Sequence, residues 1–237
     1  MPSKMKCSGP ANSLLAVITE FRALQPADLD AIGRRCQWRK ATAGEVVLQY
    51  QDDGDHIFFI IDGTIRLTHY SRSGHEVILG ELNAGDMFGE LAAIDGQRRS
   101  ATGVARSDTL LAVMPAAAFL DLIRTNHPIA MATLRRLSGQ VRRLTERVFD
   151  FSTLAVRNRI HAALLQLAKE SVSGSNQAII MPAPTHIDLA NMISTHREAV
   201  TRELNDLVRE QLIRREEHRI VILDIARLRR MVHAVRG

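Results

Sequence analysis

The chain has 237 residues, 46% of them apolar, with 31 basic and 26 acidic residues and a net charge of +5. That length suits two modest domains with a core each, and no apolar run approaches the roughly 20 residues a membrane-spanning helix needs. Two cysteines, Cys7 and Cys36, are too few for a four-cysteine metal cluster or a disulfide framework, and a reducing cytoplasm is the expected location.

The charge is uneven: −2 from Met1 to Thr133, +3 from Leu134 to Phe151 and +4 from Ser152 to Gly237. Met1 to Pro10 has lysines but no apolar segment behind them, so no secretory signal is expected. Leu14 to Arg35 carries helical patterning with a break near Pro26. From Trp38 to Met114 short Val/Ile/Leu/Phe runs alternate with glycines. Glu45–Leu48, His56–Ile61, Thr64–Thr68 and Glu76–Leu79 read as strands, and Asp62-Gly63 and Ser73-Gly74 as turns. Short strands with regular turns predict a sandwich or jelly roll.

Inside that region, Phe88-Gly89-Glu90-Leu91 predicts a short helix start between strands. Gly89 permits close backbone approach, and amide hydrogens at a helix start can hold an anion. Arg98 and Arg99 offer guanidinium groups for a phosphate, and Ser100 adds a hydroxyl. A Glu that accepts from a sugar hydroxyl beside such an Arg would suit a nucleotide. The same residues would also fit a solvated loop.

Pro115 opens a helical region, and Pro128 stands near the start of a long helix, where proline is tolerated. Leu134, Leu137, Val141, Leu144, Val148 and Phe151 then recur at spacings of 3 and 4, an a/d seam. Either the helix packs on its own domain or it pairs with a second copy. Asp150 to Leu154 reads as a hinge, Leu154 to Ala168 as a helix, Ser171 to Gln177 as a polar loop and Ala178–Met181 as a strand.

Thr185 and Thr195 each stand three residues before an acidic residue, Asp188 and Glu198, in a capping-box pattern. Ala199, Val200, Leu204, Leu207 and Val208 supply the buried face of the second helix. Two short capped helices with a tight turn predict a helix-turn-helix. Leu212–Arg215 and Arg219–Leu223 form a hairpin, and Asp224 caps a last helix. The start of the second helix enters the major groove in this motif. Arg197, Glu198 and Arg202 are placed to read bases, while Thr195, His196, Thr201 and wing arginines suit phosphates.

Phe88-Gly89-Glu90-Leu91 with Arg99-Ser100-Ala101-Thr102 resembles the phosphate-binding cassette of cyclic-nucleotide-binding domains. With the long helix and the Arg197-Glu198-x-x-x-Arg202 pattern, the chain resembles the CRP/FNR transcription regulators, closest to the cyclic AMP receptor branch. The resemblance implies an α+β chain: a jelly-roll sensor over residues 14–126, a dimerisation helix over 127–151 and a winged helix-turn-helix over 152–237. It assigns the ribose 2′-hydroxyl to Glu90, the cyclic phosphate to Arg99, and further contacts to Ser100, Gly89 and Ala101. Leu67 and Leu79 would line the base.

Leu144-Thr145 stands where cyclic AMP receptors carry Thr-Ser. Leu144 cannot accept from an adenine amino group, so cyclic AMP, cyclic GMP or both remain open as ligands. The resemblance also implies a homodimer, a palindromic TGTGA-type operator in double-stranded DNA, and RNA polymerase as partner, with residues 171–177 as a contact surface. No membrane partner, metal, haem or iron–sulfur cluster is expected. The alternatives are a regulator with a relic cassette that answers another signal or none, and an enzyme with a regulatory nucleotide domain. Against the enzyme, no P-loop, metal-ligand cluster or nucleophile triad pattern occurs.

Overall fold

A computed structural model describes residues 14–71, 76–168 and 176–236; the Ser73-Gly74 turn lies outside them, as does most of the 171–177 loop. The chain forms two compact units, divided between Gly139 and Gln140.

In the first unit a 3-10 turn, Thr19–Phe21, precedes α1 (Pro26–Arg34), which has proline in its first turn. The helical pattern at Leu14–Arg35 is therefore interrupted: Leu14 and Leu15 are α-helical, the 3-10 turn follows, and α-helix resumes at Pro26. Leu15, Ile18 and Phe21 are fully buried in spite of that. The strands follow: β1 (Gln37–Ala41), β2 (Val46–Leu48), β3 (His56–Asp62), β4 (Thr64–Tyr70), β5 (Glu76–Asn83) and β6 (Met87–Phe88). A short helix α2 (Glu90–Asp95) precedes β7 (Thr102–Ala105) and β8 (Thr109–Pro115). Helix α3 (Ala116–Thr125) then leads into α4 (His127–Thr153). All pairings are antiparallel, in two four-stranded sheets ordered β1-β8-β3-β6 and β2-β7-β4-β5.

β3 explains the layering. Phe58 and Ile60 join Val47, Ile65, Ala105 and Leu111 in the core between the sheets. Ile57, Phe59 and Ile61 pack against Leu15, Ile18, Phe21, Phe119 and Ile129. A strand covered on both faces reads as a continuous apolar run rather than an alternation. β1, β6, β7 and β8 are not among the sequence-predicted strands, and Phe88, expected at a helix start, lies in β6. β1 is rich in charge and β7 contains Gly103, whose added Cβ would sit 3.3 Å from Leu48 Cγ.

The second unit contains the rest of α4, then α5 (Val156–Ala168), β9 (Ala178–Ile180), α6 (His186–Met192) and α7 (Arg197–Arg209). The hairpin β10 (Ile213–Arg215) and β11 (Ile220–Ile222) and the final α8 (Ile225–Arg236) complete it. β11 pairs with both β10 and β9, giving a three-stranded antiparallel sheet. Its core joins Ile160, Leu164, Leu189, Val200, Leu204, Leu207, Ile222 and Leu228. Among the described residues, no helix is long and apolar enough to cross a membrane.

Candidate ligand cassette and nucleic-acid interface

Gly89 makes the turn from β6 into α2 in the left-handed conformation, φ 81°. The turn is also tight: a Cβ on Gly89 would lie 2.6 Å from Arg99 Nη1 and 3.3 Å from the His56 carbonyl oxygen. Two constraints, backbone angle and space, therefore select glycine here. Glu90 is the first residue of α2, and both Glu90 and Arg99 are 5% exposed.

Main-chain groups position the guanidinium. Arg99 Nη1 donates to the Gly89 carbonyl at 3.0 Å and Nη2 to the His56 carbonyl at 2.7 Å. Its own backbone is clamped to the 49–55 loop, donating to Asp52 O and accepting from Gln51 N. The Phe58 ring centroid lies 5.7 Å from Arg99 Cζ, and Phe58 stacks on Phe88. Burial pulls the Arg99 guanidinium below its ordinary value, while Asp55, Glu90 and Asp52 act the other way. Desolvation strengthens the pull of a cation on an anion, and the neighbouring carboxylates work against it.

Gly54 belongs to this arrangement although the sequence marks it only as one glycine among many. A Cβ there would lie 2.5 Å from Ala92 Cβ and 3.1 Å from Arg99 Nε. Ser100 is exposed and Ala101 buried. Arg98 is mostly exposed, with Asp53 3.8 Å away. Leu67 is half-buried. The register of β4 on β5 shifts between Leu67, opposite Gly80, and Thr68, opposite Ile78. Leu79 is thus the extra residue of a β-bulge, a device that re-aims side chains, and it is 44% exposed. In the second unit, Leu144 and Thr145 are exposed on α4, and Thr145 Oγ1 donates to the Val141 carbonyl.

Four residues of the α4 seam, Leu134, Val141, Leu144 and Val148, are between 54% and 65% exposed. Leu137 and Phe151 are half-buried, Phe151 beneath the guanidiniums of Arg147 and Arg159. Phe149, outside the predicted seam, is exposed as well.

In the helix-turn-helix, Thr185 caps α6 as its spacing predicts, accepting from Asp188 N at 3.0 Å. Thr195 does not cap α7. His196 occupies the cap position without a side-chain bond, and Thr195 N donates to the Ala190 carbonyl inside the turn. Val208, expected on the buried face of α7, is exposed. The turn shifts the helix start by one residue, and the buried stripe becomes Val200, Glu203, Leu204 and Leu207. Arg197, Glu198 and Arg202 are all exposed on the first turns of α7.

Thr201 Oγ1 donates to the Arg197 carbonyl, so His186 Nδ1 is the donor in its 2.7 Å contact with that hydroxyl. At the hairpin tip, Glu216 pairs with Arg214 and Arg219, which hold its carboxyl below the ordinary range. A cavity of about 450 Å³ lies between hairpin and helix, lined by Thr185, His186, Arg197, Arg215 and Glu216 among others. Among the described residues, no group of three or more His, Cys, Asp or Glu side chains is disposed to hold a metal.

The cyclic nucleotide-binding domain profile matches residues 38–126, and the Crp-like helix-turn-helix domain profile matches residues 158–231. The chain is 31% identical to the cyclic AMP receptor protein of Thermus thermophilus, over 82% of this chain and 87% of that one. It is 26% identical to a CRP-like cAMP-activated global transcriptional regulator of Mycobacterium tuberculosis, over 92% and 98% of the two chains. A CooA variant from Carboxydothermus hydrogenoformans shares the fold, with a TM-score of 0.79 at 15% identity, covering 97% and 98%. With both profiles in this order along one chain, and a relative of this similarity along most of its length, the chain belongs to the CRP/FNR family of transcription regulators.

Proposed function

We propose that this regulator is a homodimer gated by a cyclic nucleotide, cyclic AMP and/or cyclic GMP, and that it binds a palindromic TGTGA-type operator. The observation that carries this reading is the convergence of buried Arg99 and Glu90 on the Gly89 turn. The two side chains suit the two ends of a ribose cyclic phosphate. The guanidinium supplies forked donors for the phosphate oxygens, and an ionised carboxylate only accepts, which suits a ribose hydroxyl. Ser100 adds a hydroxyl, the backbone of Gly89 and Ala101 allows close approach, and Leu67 and Leu79 offer apolar surface to the base. Thr145 brings a hydroxyl as a candidate contact for the base, while Leu144 has no acceptor with which to select adenine.

The exposed apolar seam on α4 supports the dimer, because area of this kind contributes about 25 cal/mol per Å² when covered. A two-fold axis would set two recognition helices on two half-sites about 34 Å apart. Arg197, Glu198 and Arg202 read the bases; Thr195, His196, Thr201 and wing arginines position the duplex. The nucleotide acts by differential affinity for two helix arrangements. RNA polymerase, met in the cytoplasm, is the partner through which the bound dimer acts.

A second reading rests on the two carbonyls that already engage Arg99. In it, Arg99 staples the cassette and another signal drives the protein. Calorimetric titration with each nucleotide, with and without a duplex carrying TGTGA and its inverted repeat, separates the two. Binding of either nucleotide that tightens with DNA supports the gate. Intact DNA binding with no response to either nucleotide selects the second reading.

A further inference from the structure

In sequence, Arg136 stands among the charges on the outer faces of the long helix. In the structure its side chain is only 14% exposed. Arg136 Nη1 lies 2.9 Å from Asp86 Oδ1 and 3.7 Å from Glu20 Oε1, and Nη2 donates to the Met87 carbonyl at 2.7 Å. Glu20 is 4% exposed. Burial pushes its carboxyl up, with Arg136 pulling it down. Arg136 Nε and Glu20 Oε2 are buried without a hydrogen-bond partner among the described residues. A buried ion cluster satisfied only in part is a poor source of stability, and fixing register is the best-attested use of such groups.

The register being fixed is that of the cassette. Asp86 is tied into the strand ends: its Oδ2 accepts from Asn83 N, and its carbonyl accepts from Ile60 N. Met87 and Phe88 form β6, and Gly89 follows. Arg136 therefore holds the carbonyl of Met87, and Arg99 holds the carbonyl of Gly89, two residues further along the chain. One arginine belongs to the long helix and the other to the phosphate cassette. Between their guanidiniums lies one peptide segment with both ends pinned.

We propose that Arg136 is the positioning residue that couples the cassette to the long helix. This rests on the nucleotide-gated reading above. An anion that draws the Arg99 donors away from Gly89 releases one end of the segment and leaves the other pinned to α4. The resulting shift of Met87 and Asp86 reaches α4 through the Arg136 fork. Two discrete bonded arrangements joined by a contiguous network are the physical requirement for coupling.

The test compares full-length wild type, Arg136→Gln and Arg136→Lys. The nucleotide affinity of each is measured by calorimetry. Operator affinity is then measured with and without cyclic AMP and cyclic GMP, and amide exchange is followed at residues 87–91. Arg136→Gln is expected to bind nucleotide within a few-fold of wild type, and its nucleotide-induced gain in operator affinity should fall by roughly 2- to 30-fold. Arg136→Lys keeps the charge between Glu20 and Asp86 but loses the fork, and should fall between the two. If Arg136→Gln does not fold, the Lys variant is decisive by itself.

An unchanged gain in the variants overturns the proposal. Loss of nucleotide binding in parallel with loss of gain also overturns it, because Arg136 would then only support the pocket. If wild type shows no gain with either nucleotide, the gated reading has failed, and exchange decides the Arg136 assignment. Faster exchange at 87–91 in Arg136→Gln then supports the clamp, and unchanged exchange removes it.

Discussion

At Gly89 the left-handed φ and the 2.6 Å approach of Arg99 Nη1 act together. Gly89→Ala should therefore do more than strain the backbone, which by itself costs about 1–2 kcal/mol. The new methyl displaces the guanidinium, and a lost charged hydrogen bond is worth about 1.5–3 kcal/mol. Nucleotide affinity should drop at least about tenfold, with a smaller loss in melting temperature; calorimetry showing wild-type affinity would free Arg99 from the phosphate role.

A second residue-scale feature lies in the DNA-binding unit. His161 is fully buried on α5, its Nε2 2.6 Å from Oε1 of Glu203 on the recognition helix; Arg157 Nε donates to the same oxygen at 2.9 Å. Burial pulls the imidazole below its ordinary value, with Glu203 opposing. The neutral ring donates from Nε2, because the carboxylate only accepts. The native state thus takes up this proton less readily than the unfolded chain. The stabilisation from the neutral ring is complete above the ordinary histidine value of about 6.5. It is lost as pH falls through the lowered native value. Melting temperatures measured from neutral to mildly acidic pH should fall less steeply in His161→Gln than in wild type, and parallel curves would remove His161 from this role.

At the scale of elements, α4 carries two kinds of information. Its a/d seam was legible in the sequence, because spacings of 3 and 4 define one helix face whatever the surroundings. That Leu134, Val141, Leu144 and Val148 are exposed in the single chain is a fact of packing. Leu137→Asp sets a charge in that seam, and burying an unpaired ion costs several kcal/mol. Sedimentation should show a monomer, and a stable dimer would place the interface elsewhere. α7 was legible in its polar face, Arg197, Glu198 and Arg202, but not in its start. Thr195 has the residue type and spacing of a cap, yet its amide is held by Ala190 in the turn, and His196 takes the cap position. Local rules predict a cap, and the neighbouring helix decides where it falls.

At the scale of the whole molecule, the family assignment joins a sensor and a DNA reader on one chain. Arg202→Ala should cost about 1–3 kcal/mol on the cognate operator and relax specificity at one base pair. Competition binding against random duplex measures this; an equal loss on both would make Arg202 a phosphate contact. The sequence by itself determined the strand-rich region, the long amphipathic helix, the helix-turn-helix and the contiguous residues of the Gly89 turn. Each of these is written in periodicity, turn chemistry or a contiguous motif. Only the tertiary structure decided that Gly54 backs Arg99, that Glu203 is buried against His161, and that Arg136 grips Met87 and Asp86. Those partners stand 42 to 50 residues apart, and no local pattern encodes a contact made by chain segments that meet only when the core closes.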